Sequence, residues 1–162
     1  MNNNWTIQDS AEHYLVSRWG NPYFSINKKG HLVCSPKKDF VGSIDLKKLI
    51  DDLKKRGIQP PLLIRFNDIL ACQVEALSLS FKKCIEEYQY KASYCSVMPI
   101  KVNQQRHVVE QLVKHGSAFS LGLEAGSKPE LLVAMALLKR DEGLLICNGY
   151  KDEDYIETAL HS

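Results

Sequence analysis

Met98-Pro99-Ile100-Lys101-Val102-Asn103-Gln104-Gln105-Arg106 sets a lysine between an apolar, strand-like run and a helix-like one. In folds built from parallel strands, residues at the carboxyl ends of the strands face the place where ligands bind. An amine held there in apolar surroundings sheds its proton more readily and becomes a nucleophile toward carbonyl groups. Spacing alone does not single out Lys101, because most lysines are solvated and the chain has many. Glu124, in Gly122-Leu123-Glu124-Ala125-Gly126-Ser127, follows another strand-like run. It could hydrogen-bond a cofactor or position Lys101, and it equally suits the start of a helix, where the dipole favours an acid.

Other chemistries find less support. The turns Glu124-Ala125-Gly126-Ser127 and Asn148-Gly149-Tyr150-Lys151 could approach a phosphate, but neither matches G-x-G-x-x-G or the P-loop, and their glycines suit tight strand–helix turns. There is no G-x-S-x-G elbow. His13, His31, His107, His115 and His161 are scattered without metal-ligand spacing, so no metal site is assigned. Cys34, Cys72, Cys84, Cys95 and Cys147 are odd in number and include no C-x-x-C pair, which fits a reducing compartment and a cytoplasmic location.

A length of 162 residues suits one domain with a moderate core. A hydrophobic share of 44%, a charged share of 25% and a net charge of +2 are ordinary for a globular protein and give no argument for nucleic acid or membrane as a partner. Met1 to Ser10 is polar, without the signature of a signal peptide, and no apolar run is long enough to span a bilayer.

The elements that must hold Lys101 and Glu124 follow from periodicity. Tyr23–Asn27 and His31–Cys34 read as a hairpin around Lys28-Lys29-Gly30, and a lone hairpin must pack on something else. Leu46, Leu49, Ile50 and Leu53 form an amphipathic helical stripe, capped by Ser43 and stopped at Gly57. The mixed charges from Lys47 to Arg56 read as the solvated face of that helix. Strand–helix alternation follows. The expected strands are Leu62–Phe66, Tyr94–Val102, Ala118–Leu123 and Leu144–Cys147. The expected helices begin at a cap on Asp68, after Val102, at the box Ser127-Lys128-Pro129-Glu130, and at a cap on Asp152. Four βα units imply an α/β fold with a parallel sheet, either an open doubly wound sheet or part of a barrel. Periodicity does not choose between these.

Several long motifs taken together resemble the biosynthetic arginine decarboxylases. They are Pro99-Ile100-Lys101-Val102-Asn103-Gln104-Gln105-Arg106, Gly122-Leu123-Glu124-Ala125-Gly126-Ser127-Lys128-Pro129-Glu130-Leu131 and Leu145-Ile146-Cys147-Asn148-Gly149-Tyr150-Lys151-Asp152. Trp19–Asn27 and Pro61–Leu70 join them, so the resemblance covers nearly the whole chain. It implies fold type III of the pyridoxal-phosphate enzymes, an alanine-racemase-like (β/α)8 barrel with a separate β domain. Residues 1–42 would then belong to the β domain and residues 43–162 to the N-terminal half of the barrel. It further implies Lys101 as the Schiff-base lysine, Glu124 as a cofactor-binding candidate, pyridoxal phosphate and magnesium as cofactors, and a homo-oligomer.

The implied reaction converts L-arginine to agmatine and CO2, a step toward putrescine and spermidine. Two departures stand out: Met98 occupies a position where the family usually has an aromatic residue, so a polar contact is expected to be lost, and the chain is far shorter than family members. The expectation is therefore the N-terminal portion of such an enzyme, inactive by itself. The alternatives are a catalytically inactive relic or regulatory partner of a full-length decarboxylase, and a related enzyme acting on diaminopimelate, ornithine or a carboxylated polyamine.

Overall fold

The computed structural model describes residues 4–38, 42–139 and 143–161. The chain divides into two compact units, Met1–Ile69 and Leu70–Ser162.

The first unit opens with two short helices that the sequence reading did not contain. α1 (Ile7–His13) starts at a reciprocal capping box, in which Thr6 Oγ1 accepts from the Asp9 amide at 3.1 Å and Asp9 Oδ2 accepts from the Thr6 amide at 2.7 Å. Leu15, left-handed at φ 51°, turns the chain into α2 (Val16–Trp19). The expected hairpin is present as β1 (Phe24–Ile26) and β2 (Leu32–Cys34), antiparallel with Phe24 opposite Cys34. Asn27 fixes its turn, since its Oδ1 accepts from the amides of Lys29 and His31.

What the hairpin packs on is now visible. A third strand, β3 (Ile44–Asp45), adds to β2. Trp19 and Phe66 flank the Phe24 ring, with centroids at 5.5 and 6.3 Å. Val16, Tyr23, Val33 and Cys34 form the buried centre, and burial pushes the Cys34 thiol up from its ordinary range. α3 (Leu46–Lys55) and β3 lie beyond the residue-42 boundary expected from the sequence, and both pack against β2.

Asp45, not Ser43, caps α3: its Oδ1 accepts from the Lys48 amide at 3.1 Å. Its other oxygen accepts from Asn27 Nδ2 at 3.1 Å and lies 2.9 Å from His31 Nδ1. A serine two residues earlier is a sound cap by composition, but pairing with β2 sets where the helix begins. Gly57 ends α3 as expected, at φ +83° with the Ile58 amide returning to Leu53 O at 3.0 Å.

The His31 hydrogen bond, aided by the Lys48 amide and Asn27 and opposed by burial, holds the Asp45 carboxyl down at about 2 from an ordinary 3.8. The folded state therefore binds this proton less readily than the unfolded chain. The contribution of Asp45 to stability is complete above about pH 4 and is lost as the pH falls from about 4 toward about 2. Both tryptophans, Trp5 and Trp19, lie in this unit, so fluorescence should report a transition in that window. Asp45→Asn should flatten it, and an unaltered acid profile in that variant would contradict the assignment.

α4 (Asn67–Glu87) begins one residue before the expected cap at Asp68, which instead sits in its first turn. In the second unit, β4 (Val97–Pro99), β5 (Gly122–Ala125) and β6 (Leu145–Cys147) form a parallel sheet in the order β4-β5-β6. Between them run α5 (Arg106–Gly116) and α6 (Lys128–Leu137), and α7 (Glu153–Leu160) follows. The fold is mixed α/β, with one antiparallel and one parallel sheet.

Three strand expectations need correction. The strand expected at Tyr94–Val102 is confined to Val97–Pro99, because Ile100–Val102 winds into a 3-10 turn. Leu62–Phe66 is irregular and forms no strand, so among the described residues the parallel sheet has three strands where the sequence reading expects four. An apolar run becomes a strand only when a neighbour completes its ladder. The strand expected at Ala118–Leu123 starts later. Ser117–Phe119 forms a 3-10 turn, Ser120 is left-handed at φ 54°, and β5 begins at Gly122. The cause is the tight reversal after α5: Leu121 donates to Gly116 O at 3.0 Å, and a Cβ on Gly116 would fall 2.4 Å from that of Leu121.

One face of the parallel sheet carries the core. Leu123, with no exposed surface, packs with Ile100, Val109, Val113 and Ala134, and Met98 and Leu145 join this cluster. Met98 pairs in register with Leu123 and shares its helix-covered face. The usual aromatic would stand in a core there, so the loss of a polar contact expected from Met98 does not follow from its surroundings. The opposite face presents Pro99, Glu124 and Ile146 in register, with Ile146 exposed.

Candidate functional site

Lys101 and Glu124 come together at the carboxyl end of the parallel sheet. β4 ends at Pro99 and passes into a 3-10 turn, Ile100–Val102, closed by the Asn103 amide on Ile100 O at 3.1 Å. Ile100 is buried in the core and anchors this turn, so Lys101 projects outward. Its Nζ lies 3.9 Å from Glu124 Oε1, and the two side chains are 62% and 20% exposed. A pair this open is worth about 1 kcal/mol or less, so it orients the groups more than it stabilises the fold. The sequence argument expects apolar surroundings for the amine. Lys101 is instead open, because it sits on the exposed side of a 3-10 turn that leaves the strand.

The neighbouring strand supplies a residue that the sequence reading passed over. Asn148 Nδ2 donates to Glu124 Oε1 at 3.3 Å. The Asn148 amide donates to Ala125 O at 2.8 Å and so prolongs the β5–β6 ladder, while its Oδ1 accepts from the Gly149 amide at 2.8 Å. Gly149, at φ +78°, packs so closely that a Cβ would sit 2.6 Å from Gly126 O. The two glycine turns thus press against each other, which supports their reading as tight turns.

Charge fixes these turns further. Lys128 Nζ donates to Asp152 Oδ2 at 2.8 Å and to Asp154 Oδ2 at 3.3 Å, tying the start of α6 to the start of α7. The Lys128 ammonium holds the Asp152 carboxyl below its usual range, and the carboxylates raise Lys128 in turn. Asp152 caps α7 as expected, accepting from the Tyr155 amide at 2.9 Å. Ser127 Oγ accepts from the Glu130 amide at 3.4 Å, while Glu130 Oε2 reaches to the Gly126 amide at 2.7 Å, one residue further back than a capping box requires. The Tyr155 hydroxyl donates to Ala125 O at 3.0 Å, and burial first, then Cys147, pushes its phenol up to about 12.

This arrangement offers an accessible amine, a carboxylate 3.9 Å away that can attract and orient it, and a side-chain amide that steadies the carboxylate. It fits a group that attaches through an aldehyde carbon. Among the described residues no set of three or more His, Cys, Asp or Glu is placed to hold a metal ion, and no helix is long and apolar enough to cross a membrane.

Comparison with known proteins gives this geometry a context. The family described as "Pyridoxal-dependent decarboxylase, pyridoxal binding domain" matches residues 73–162. A biosynthetic arginine decarboxylase of Gloeobacter violaceus is 56% identical over 156 residues, covering 96% of this chain and 24% of that protein. One from Nostoc is 53% identical over 158 residues, covering 98% of this chain and 23% of its own length. The crystal structure of the biosynthetic arginine decarboxylase of Campylobacter jejuni superposes with a TM-score of 0.78 at 36% identity, over 89% of this chain and 23% of that one. The chain therefore spans about a quarter of the length of the relatives it matches. It belongs to the pyridoxal-dependent decarboxylase family and corresponds to the N-terminal part of proteins named biosynthetic arginine decarboxylase.

Proposed function

We propose that this chain supplies the cofactor-attachment part of an arginine decarboxylase that converts L-arginine to agmatine and CO2, a step toward putrescine and spermidine. The observation that carries the reading is Lys101 beside Glu124 at the carboxyl end of the sheet, in a chain of this family. The names of the relatives favour arginine over the neighbouring amino-acid substrates, and favour a catalytic over a regulatory role.

In this reading Lys101 is the point of covalent attachment for pyridoxal phosphate. When bound, pyridoxal phosphate supplies an electron sink for the carbanion left by loss of CO2. Glu124 attracts the amine and holds Lys101 over the open face. Asn148 keeps Glu124 Oε1 in place, and the Lys128–Asp152 pair keeps the two turns from spreading.

Residues 43–162 serve as the N-terminal half of a (β/α)8 barrel and residues 1–42 as part of a β domain. Three features support the barrel. The strands are parallel, helices cover one face, and β6 presents an unpaired edge among the described residues, with Leu144 and Ile146 exposed. Residues that cradle the phosphate, recognise the guanidinium with acidic groups and exclude water from Lys101 belong to parts of the relatives that this chain does not span. A magnesium requirement, a homo-oligomer and a cytoplasmic location complete the reading by resemblance.

The isolated chain is expected to release no CO2 from arginine, with pyridoxal phosphate present, above the rate of cofactor alone. Arginine-dependent release by the purified chain would contradict the division of labour proposed here.

A further inference from the structure

The parallel-sheet unit has a second concavity at the strand ends away from Lys101. α4 has 21 residues and α5 has 11. At 1.5 Å per residue α4 runs about 31 Å and outreaches α5 by about 15 Å. The chain leaves α4 through Gln89, left-handed at φ 51°, and returns toward β4 through Tyr94, while Ser120, left-handed at φ 54°, leads into β5. Between the overhanging helix and these two approaches lies a cavity of about 610 Å³, within the range of small-molecule sites.

Its lining has a definite chemistry. Tyr94 and Phe119 give it flat apolar walls, and the Tyr94 ring is fixed by stacking on Phe81 at 3.9 Å between centroids and 8° between planes. Lys82 and Lys91 also line it, and neither is ion-paired among the described residues. Glu86 is the one carboxylate of the lining. Ser78 is only 7% exposed, and its hydroxyl has no hydrogen-bond partner. A helical serine commonly returns its hydroxyl to the preceding turn, as Ser80 does to Ala76 O at 2.7 Å. Ser78 does not, and it lines the cavity.

We propose that this cavity binds a small organic carboxylate carried on an apolar or aromatic body. The carboxylate is received by Lys82 and Lys91, the body lies against Tyr94 and Phe119, and the Ser78 hydroxyl gains the partner it lacks. Two ammonium groups against one carboxylate leave the lining net positive, which selects anions over cations of the same shape. The site opens at the amino ends of β4 and β5, opposite Lys101, and does not rest on the function proposed above.

Benzoate titrated into the 162-residue chain, followed by amide NMR shifts, tests this, with benzylamine as the cationic twin. We expect saturable shifts at Ser78, Lys82, Tyr94 and Ser120, with a Kd on the order of a few millimolar for a ligand this small, and none of comparable size with benzylamine. Lys82→Gln/Lys91→Gln should weaken benzoate about threefold, and Lys82→Glu/Lys91→Glu about tenfold or more, both exposed positions leaving the fold intact. Shifts that fail to saturate, equal binding of benzylamine, or benzoate affinity unchanged in the charge-reversed variant would each overturn the proposal.

Discussion

Lys101→Ala abolishes arginine-dependent CO2 release when residues 1–162 replace the matching quarter of the Gloeobacter violaceus relative. The expected loss is at least about 10³-fold, because removing the group that forms the covalent link removes a route and not merely an interaction. At 56% identity over 156 residues the graft conserves most of the contacts this segment makes. The parent chimera should turn over arginine at a rate within about tenfold of the unaltered relative, a spread of about 1.4 kcal/mol in barrier. Lys101 is exposed and its side chain fills no core, so the alanine variant should melt within a few degrees of the parent chimera. A variant that retains more than a tenth of the activity would remove Lys101 from the chemistry.

The second large effect is structural. Leu123 has no exposed surface and stands at the centre of the cluster formed by Ile100, Val109, Val113 and Ala134. Leu123→Ala should cost about 2–5 kcal/mol, the sum of lost burial and the cavity left behind. That is a large share of the roughly 5–15 kcal/mol that holds an ordinary domain. Glu124 is its immediate neighbour on β5, so the same change loosens the carboxylate that faces Lys101. Leu132→Ala, on an exposed stretch of α6, should cost about 0.5 kcal/mol or less. Urea melts of the two variants side by side decide the matter, and equal midpoints would show that the core has been misplaced.

Local signals were legible in the sequence where one short segment contains the whole device. Asp152 caps α7, Gly57 ends α3, and Asn27 with Gly30 closes the hairpin, each within a few residues of its partner. Thr6-x-x-Asp9 is equally local and announces α1, yet the polar character of the N-terminus masked it. Devices that depend on a distant partner were not legible. Leu62–Phe66 has the composition of a strand and joins neither sheet among the described residues. Ser43 looks like a cap until the pairing of Ile44 and Asp45 with β2 shifts the helix start.

The same distinction runs through the candidate site. Lys101 could be picked out because the surrounding motif resembles that of a known family; its place after a strand-like run alone does not single it out. The approach of Glu124 depends on the register that sets Pro99 beside it. Asn148 reaches Glu124 only because Ala125 pairs with Cys147. Before that register is known, Asn148-Gly149 marks a turn after a strand that could approach a phosphate, with nothing to tie Asn148 to Glu124. The openness of Lys101 could not be read either, since it depends on the 3-10 turn that leaves the strand.

The claim on which the rest depends is that the Lys101 amine carries the cofactor. Borohydride reduction of the chimera loaded with pyridoxal phosphate, followed by peptide mapping, tests it most directly. A single stoichiometric label on the peptide containing Lys101 is the predicted result. A label on another lysine, or no stable label in a chimera that turns over arginine, would contradict the account.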